Sequence, residues 1–179
     1  MSLEHSPFDI LVQIDQASAS NESAPVTTSA QQWVGVGFTL GGKRFVTDMA
    51  QVGEVLQPMD LTVIPGVQPW VLGVANVRGN LLPVIDLVGF FDLKKPADTR
   101  RQRIITVHVG DYYIGLQVDA VAGMRYFLQS DFVESSDEIE LVSALQTFVS
   151  GGYETKGELW PLFNLHQLLF SEQFQSVAA

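Results

Sequence analysis

From Trp33 onward, hydrophobic residues fall in short runs rich in Val, Ile, Phe and Tyr, separated by turns that contain glycine. Runs of this length and composition predict β-strands, and the close turns predict hairpins. Two segments show strand, turn and strand in succession: VGVGFTL-GGK-RFVTDM, and RIITVHV-GD-YYIGLQV with Gly110-Asp111 as a two-residue hairpin signal. Helical periodicity is confined to short stretches after Asp86, after Asn164 and within 136–148. The pattern therefore predicts a mainly β fold with short helices, arranged as small barrels or a sandwich.

The chain contains an internal repeat in two blocks. In the first block, residues 69 positions apart match in type: Phe38 with Val107, Gly41 with Gly110, Phe45 with Ile114, Val52 with Val121, and Val55 with Met124. In the second block the offset is 78: Gly73 matches Gly151, Gly79 matches Gly157, Pro83 matches Pro161, and Asp86 matches Asn164. Both blocks run in the same order, so we infer two similar β-units that arose by duplication and pack as one domain. Because proline cannot donate a ladder hydrogen bond, we expect Pro83 and Pro161 at a strand edge or bulge.

The first 32 residues differ from the rest of the chain. Ser6, Pro7 and Asp9 form a helix-start pattern, and Phe8, Leu11 and Val12 share one face of that predicted helix. The following stretch, ASASNESAPVTTSAQQ, is small and polar, which is typical of a flexible linker. We therefore divide the chain into an N-terminal helix and linker at 1–32, a folded domain at 33–172 and a C-terminal tail at 173–179.

Composition excludes several classes of function. The 179-residue chain has a net charge of −10, so it lacks the basic surface that nucleic acid or anionic lipid requires. Cysteine is absent, which excludes disulfides, thiolate metal sites and a Cys nucleophile. No apolar run reaches the roughly 18 residues of a membrane helix, and the N-terminus lacks the positive region of a signal peptide. We expect a cytoplasmic protein that does not insert into the membrane.

The candidate chemistry is sparse. His5, His108 and His166 lack the spacing of metal ligands, and we expect neither a metal site nor a cofactor. Asp86 is the most conspicuous carboxylate, but its repeat partner is Asn164. Asp and Asn both cap helix N-termini, whereas Asn cannot replace a general base, so the repeat favours a structural role for Asp86.

The segment Asn76-Val77-Arg78-Gly79 differs from its repeat partner. Gly79 recurs as Gly157, which indicates a structural turn in both copies, whereas Asn76 and Arg78 are replaced by Glu154 and Lys156. Arginine is enriched at interface hot spots because its rigid fork offers five donors. The spacing alone leaves two alternatives open for Arg78, a solvated turn residue or a docking residue.

These motifs resemble those of the CheW family of chemotaxis adaptors. The resemblance runs from about Trp33 to about Phe170. The predicted N-terminal helix and linker of this chain are similar to those of the PilI type, which serves type IV pilus signalling and twitching motility. The residues that carry it are GFTLGGKRF, Val52-x-Glu54-Val55, Gly73-Val74-x-Asn76-x-Arg78-Gly79, Pro83-Val84-Ile85-Asp86-Leu87, VGDYYIGLQVDAV and PLFNLHQLL. One departure is Val46-Thr47, where many members have Gly-Ile, and we expect altered packing there at an edge facing the kinase.

The resemblance implies two SH3-like five-stranded barrels, pseudo-symmetric and intertwined, that form one CheW-like domain without enzymatic activity. It implies two partners, the C-terminal regulatory domain of a CheA-type histidine kinase and the cytoplasmic tip of a chemoreceptor, with recruitment to membrane receptor arrays. The residues it assigns to binding are Val52, Glu54, Val55, Asn76, Arg78, Gly79 and Gly115, with Asn76 and Gly79 shaping the turn that presents Arg78. Glu54 and Arg78 either bridge each other or each meet a partner group.

Two other functions remain alternatives. One is a hydrolase that uses Asp86 with Asp48 or Asp119 as acid and base. The other is a sensor that binds a small molecule in the space between the two barrels.

Overall fold

The computed structural model describes residues 31–134 and 141–177. The helix predicted near the N-terminus, and nearly all of the linker, lie outside the described residues. The described residues contain eleven strands, namely β1 Gln32–Leu40, β2 Lys43–Asp48, β3 Val55–Leu56, β4 Val71–Val77, β5 Asn80–Asp86, β6 Arg103–Val109, β7 Tyr112–Val118, β8 Ala120–Leu128, β9 Phe132–Val133, β10 Val149–Thr155 and β11 Glu158–Phe163. They also contain four short α-helices, namely α1 Leu87–Phe90, α2 Ser143–Gln146, α3 Leu165–Leu169 and α4 Glu172–Gln175. The predicted hairpins, β1–β2 and β6–β7, and the three predicted helical stretches are confirmed.

The strands form two sheets, and each sheet takes one hairpin from each half of the chain. The first sheet has the order β8-β1-β2-β11-β10-β9, and the second has the order β3-β6-β7-β5-β4. In both sheets the two hairpins meet at a parallel pair, β2 with β11 and β7 with β5. Neither half of the sequence therefore completes a sheet by itself, and the predicted pair of intertwined β-units is confirmed.

Strand register shows that the two units are related by internal symmetry. The parallel pair Val46–Leu162 in the first sheet corresponds to Gly115–Val84 in the second, at the same 69- and 78-residue offsets as the sequence repeat. The edge pair Val36–Met124 likewise corresponds to Ile105–Val55. The offsets read from the sequence thus describe pairs of structurally equivalent residues.

The first sheet has six strands where the resemblance implied five. The additional strand is β9, where Val133 pairs with Gly152 of β10. In the second sheet the equivalent pairing is a single bridge between Thr62 and Val74, which does not lengthen into a strand. The two units are therefore the same in plan and differ in how far this edge pairing extends.

The main hydrophobic core lies between the two units. Phe38, Phe45 and Phe163 are fully buried and pack edge-to-face or stacked, with ring centroids 5.6 to 5.9 Å apart. The same cluster includes buried residues from both sheets and from α1 and α3. This core occupies most of the space that the sensor alternative would use, and the cavity of about 560 Å³ left beside it is lined by Ile85 and Ile114 of the second sheet and by Leu169 and Phe174 of α3 and α4.

Pro83 and Pro161 lie in inner strands, so the edge position is wrong for both, but Pro161 pairs with Gly152 at the bulge between Val149 and Gly152, as the other alternative expected. Pro83 pairs with Val74, whose N–H and C=O both bond to Thr62 on the other side of β4, at 2.9 Å each. The Val74–Pro83 pair is thus a non-hydrogen-bonded pair of the antiparallel ladder, where a missing N–H costs nothing. Pairing with β7 begins one residue later, at Val84.

The departure at Val46-Thr47 also lies in the interior, contrary to the expected edge position. Both residues are fully buried in β2, which runs between β1 and β11. The packed domain also extends past residue 172, because Phe174 of α4 is only 4% exposed and stacks on Trp70 with ring centroids 6.0 Å apart. The residues expected to form a tail therefore include a packed helix, capped where the Ser171 hydroxyl accepts from the Phe174 N–H.

Asp86 and Asn164 are equivalent helix caps, as the repeat predicted. The Asp86 carboxylate accepts a 3.0 Å hydrogen bond from the N–H of Val88 at the start of α1. The Asn164 side chain accepts a 3.0 Å bond from the N–H of Gln167 in α3. An acceptor at each position satisfies one of the N–H groups that a helix start leaves without a partner.

We expect Asp86→Asn to keep this cap and change the free energy of unfolding by less than about 0.5 kcal/mol. Asp86→Ala removes the acceptor and should cost about 1 kcal/mol. Urea unfolding of the two variants beside the wild type measures the difference. Equal losses in both variants would show that the carboxylate does more than cap.

Asp119 joins the β1–β2 turn to the start of β8. It is buried, and its Oδ2 accepts a 3.1 Å hydrogen bond from the N–H of Gly42, while Oδ1 has no protein partner. Burial raises the pKa of Asp119 above its ordinary value of 3.8, the turn N–H groups oppose the rise, and nearby Asp86 adds to it. An acid whose pKa is raised by folding makes the fold relatively more stable when it is protonated.

The stability of the wild type relative to Asp119→Asn should therefore be greatest below pH 3.8 and should fall as the pH rises through the folded-state pKa. Paired urea unfolding of the two proteins across this range measures that difference. A difference that stays constant or grows with pH would mean that the folded protein does not penalise the charged carboxylate.

Candidate docking site

The β4–β5 turn presents Arg78 on a rigid backbone. Its two central residues, Arg78 and Gly79, have φ values of 52° and 86°, so both occupy the left-handed region that a type I′ hairpin turn requires. The Asn76 side chain accepts a 2.9 Å hydrogen bond from the Gly79 N–H and closes the turn. Lys156-Gly157 forms the equivalent turn between β10 and β11, with φ values of 52° and 73°.

Glu54 lies beside this turn, immediately before the short edge strand β3, and Thr106 of β6 holds its backbone. The Gly53 N–H donates to the Thr106 carbonyl, and the Thr106 N–H donates to the Glu54 carbonyl, both at 2.8 Å. The Thr106 hydroxyl accepts from the Glu54 N–H at 2.8 Å and lies 3.2 Å from the Glu54 carbonyl, to which it donates. Gly53 permits this approach, because a Cβ there would lie 2.8 Å from the hydroxyl oxygen.

Glu54 and Arg78 bridge each other in the free protein, the first of the two alternatives left open by the sequence. Nη2 of Arg78 lies 3.0 Å from Oε2 of Glu54, and Nη1 lies 3.4 Å from Oε1. The Arg78 side chain is 77% exposed and the Glu54 side chain 33% exposed. An exposed pair of this kind contributes less than about 1 kcal/mol to folding, so a partner can compete for it at little cost.

Tyr113 is a third member of this cluster and was not identified from the sequence. Its hydroxyl donates a 3.0 Å hydrogen bond to Oε1 of Glu54, and its ring stacks on His108 with centroids 4.6 Å apart. Burial raises the pKa of Tyr113 above its ordinary value of 10.0 and the Glu54 carboxylate adds to the rise, while the Thr106 hydroxyl and the Arg78 charge oppose it, so the phenol stays protonated as a donor at neutral pH. The hairpin register pairs Tyr113 with His108, but nothing in the sequence places β3 beside them.

A groove of about 550 Å³ opens between the Arg78 turn and the β6–β7 hairpin. Its apolar part includes Leu81, which is 72% exposed. The lining residues are Glu54, Val77, Arg78, Asn80, Leu81, Pro83, His108, Asp111 and Tyr113. The groove thus combines apolar surface with the paired charges of Arg78 and Glu54 and with a second carboxylate, Asp111.

The structure separates the residues that the resemblance assigned to binding. It brings Glu54, Asn76, Arg78 and Gly79 together at the groove, and it places Val55 on the adjoining edge strand with 41% of its surface exposed. Val52 is half-buried and packs against the main core. Gly115 is buried in β7, and a Cβ there would lie 2.7 Å from Cγ2 of Ile104. Gly115 therefore supports the sheet behind the groove without lining it.

The three carboxylates of the hydrolase alternative each accept a hydrogen bond from a backbone N–H group. Asp48 accepts from the Ala50 N–H at 2.8 Å, Asp86 from Val88, and Asp119 from Gly42. Each carboxylate thus has a structural task in a cap or a turn, which argues against an acid and base pair. Residues 31–134 and 141–177 contain no cluster of three or more His, Cys, Asp or Glu side chains suited to a metal ion.

The chain belongs to the CheW family. The family model for the CheW-like domain matches residues 34–173. The PilI protein of Pseudomonas aeruginosa is 40% identical over 180 residues, covering 99% of both chains. FrzA of Myxococcus xanthus is 31% identical over 96 residues, covering 54% of this chain and 60% of its own. The crystal structure of the scaffolding protein TtCheW from Thermoanaerobacter tengcongensis has a TM-score of 0.68 and 26% identity, covering 80% of this chain and 96% of its own.

These similarities confirm the family and the fold of two SH3-like units. They also support the role of a chemotaxis-type adaptor scaffold. Within the part of the chain that the structure describes, no helix is long and apolar enough to cross a membrane.

Gly115→Ala should lower the free energy of unfolding by about 1 to 3 kcal/mol, because the added methyl group overpacks the buried contact with Ile104. Any loss of binding in this variant should follow its loss of stability. Chemical denaturation together with binding at a temperature where the variant is fully folded separates the two effects. Unchanged stability with lost binding would return Gly115 to the docking surface.

Proposed function

We propose that this protein is a non-enzymatic adaptor that couples chemoreceptors to a CheA-type histidine kinase, in chemotaxis or type IV pilus signalling. The observation that carries the proposal is the exposed Arg78 guanidinium, held on a tight turn beside Glu54 and next to a groove that offers both polar and apolar surface. The protein then acts on the cytoplasmic side of the membrane, recruited to receptor arrays by binding.

The groove suits the tip of a receptor, which is a helical hairpin with an apolar face. Leu81, Pro83 and the Tyr113 ring offer apolar surface, and burying it supplies most of the binding free energy. Arg78 and Glu54 add little net energy at an exposed site, but their charges set the register and exclude mismatched partners. In this arrangement, Arg78 exchanges its weak pair with Glu54 for an acidic group on the receptor.

The kinase partner is proposed from the family fold. The regulatory domain at the C-terminus of a CheA-type kinase shares the architecture of two β-units, so one of its β-units can pack against a β-unit of this protein. Such an assembly carries the signal as a change of packing among receptor, adaptor and kinase. No side chain of the proposed site takes part in covalent chemistry.

Arg78→Glu should reduce receptor-controlled kinase activity by at least about 10-fold, because it replaces the docking cation with a charge that repels an acidic partner. The fold should remain intact, since the Arg78 side chain is 77% exposed. The assay uses the receptor and kinase from the same genome, reconstituted with the purified variant.

Lys156→Glu is the matched control, because Lys156 occupies the equivalent turn with the same φ of 52° and the substitution changes the charge equally. We expect it to couple like the wild type. Normal coupling by Arg78→Glu, or equal losses in both variants, would contradict the assignment of the site to the Arg78 turn.

A further inference from the structure

We propose that Tyr113 is a positioning residue of the docking site: its hydroxyl occupies one oxygen of Glu54 and so keeps the Arg78 guanidinium available to an acidic partner group. The inference deepens the proposed function and rests on the docking role of Arg78.

The geometry around Glu54 shows a competition for one oxygen atom. Oε1 receives the Tyr113 hydroxyl at 3.0 Å, and Nη1 of Arg78 approaches the same atom only to 3.4 Å. Oε2 takes Nη2 of Arg78 at 3.0 Å. Arginine pairs most strongly with a carboxylate when its fork engages both oxygens. Oε1 is shared between the two donors, and its bond from Arg78 is the longer of the two fork bonds, so the Tyr113 hydroxyl weakens the hold of Arg78 on Glu54.

The Glu54 backbone and the Tyr113 ring are held by neighbouring residues, whereas the Arg78 side chain is largely exposed to solvent. The backbone of Glu54 makes hydrogen bonds to the backbone and the hydroxyl of Thr106, and the Tyr113 ring stacks on His108. Arg78 is fixed by its turn, but its side chain is 77% exposed. A partner carboxylate can therefore draw Arg78 away while Glu54 stays in position. Binding of a partner can therefore move the Arg78 guanidinium while the Glu54 carboxylate keeps its position.

The second unit lacks this arrangement, so the fold itself does not require it. The positions equivalent to Glu54, Arg78 and Tyr113 are Gly123, Lys156 and Arg44. In that unit Arg44 pairs with Glu158 at 2.7 Å, and Lys156 takes the place of Arg78 on the turn. A tyrosine donor that shares an acid with an exposed arginine is therefore a feature of the first unit, where the proposed docking groove lies.

The test is a double-mutant cycle of Tyr113→Phe and Glu54→Gln, with affinity measured for a soluble fragment of the receptor tip. Tyr113→Phe removes the second donor from Oε1, lets Nη1 of Arg78 approach that oxygen more closely, and should weaken binding about 3- to 10-fold. In the Glu54→Gln background the same substitution should have no effect, because no carboxylate remains to hold Arg78. Tyr126→Phe, at a tyrosine that is 57% exposed in β8, is the matched control and should bind like the wild type.

An equal loss from Tyr113→Phe in both backgrounds would overturn the inference, because the hydroxyl would then act through packing alone. No loss in the otherwise wild-type protein, with Arg78 mobility unchanged, would overturn it as well. Side-chain NMR of Arg78 in the free protein supplies the independent readout, since Tyr113→Phe should restrict the guanidinium and slow its hydrogen exchange. If Tyr113→Phe restricts the Arg78 guanidinium but leaves receptor binding unchanged, Tyr113 does position Arg78. In that case Arg78 does not dock the receptor, and the proposed function is wrong.

Discussion

The assembly of both sheets depends on one constraint, that neither half of the chain can complete a sheet without a hairpin from the other. The two parallel pairs, β2 with β11 and β7 with β5, join the halves, and the main core fills the space between them. Because each sheet needs both halves, the domain is expected to fold as one cooperative unit. The same arrangement brings β3, from the first half, against β6 of the second, and so places Glu54 beside Thr106 and Tyr113.

The docking site depends on side chains that differ between equivalent positions of the two β-units. Both units keep a type I′ turn with a basic residue at positive φ, Arg78 in one and Lys156 in the other. In the first unit Glu54 pairs with that residue and accepts a bond from the Tyr113 hydroxyl, whereas in the second unit Glu158 pairs with Arg44. A weak exposed ion pair contributes little to stability, and this makes it suitable for exchange with a partner. The backbone arrangement that both units share thus holds the turn in place, and the side chains that differ between the units determine which turn binds a partner.

The sequence predicted features that depend on local chemistry or on the repeat. The Asp86 and Asn164 caps, the Gly79 turn and both predicted hairpins required only residue type and spacing. It did not predict features that depend on strand order. Pro83 tolerates an inner strand because its partner bonds to Thr62, and Gly115 lies behind the groove because of sheet packing. Tyr113 was missed for the same reason, since only the crossing of the halves brings it to Glu54.

Docking at the Arg78 turn and its groove should leave the equivalent turn at Lys156 without contact to the receptor. Amide NMR of the isotope-labelled protein, titrated with a soluble receptor-tip fragment, distinguishes the two turns. We expect chemical-shift changes concentrated at Glu54, Val55, Arg78, Gly79 and Leu81, with the Lys156-Gly157 turn unperturbed. Shifts concentrated at Lys156-Gly157, with the Arg78 turn unchanged, would contradict docking at the Arg78 turn.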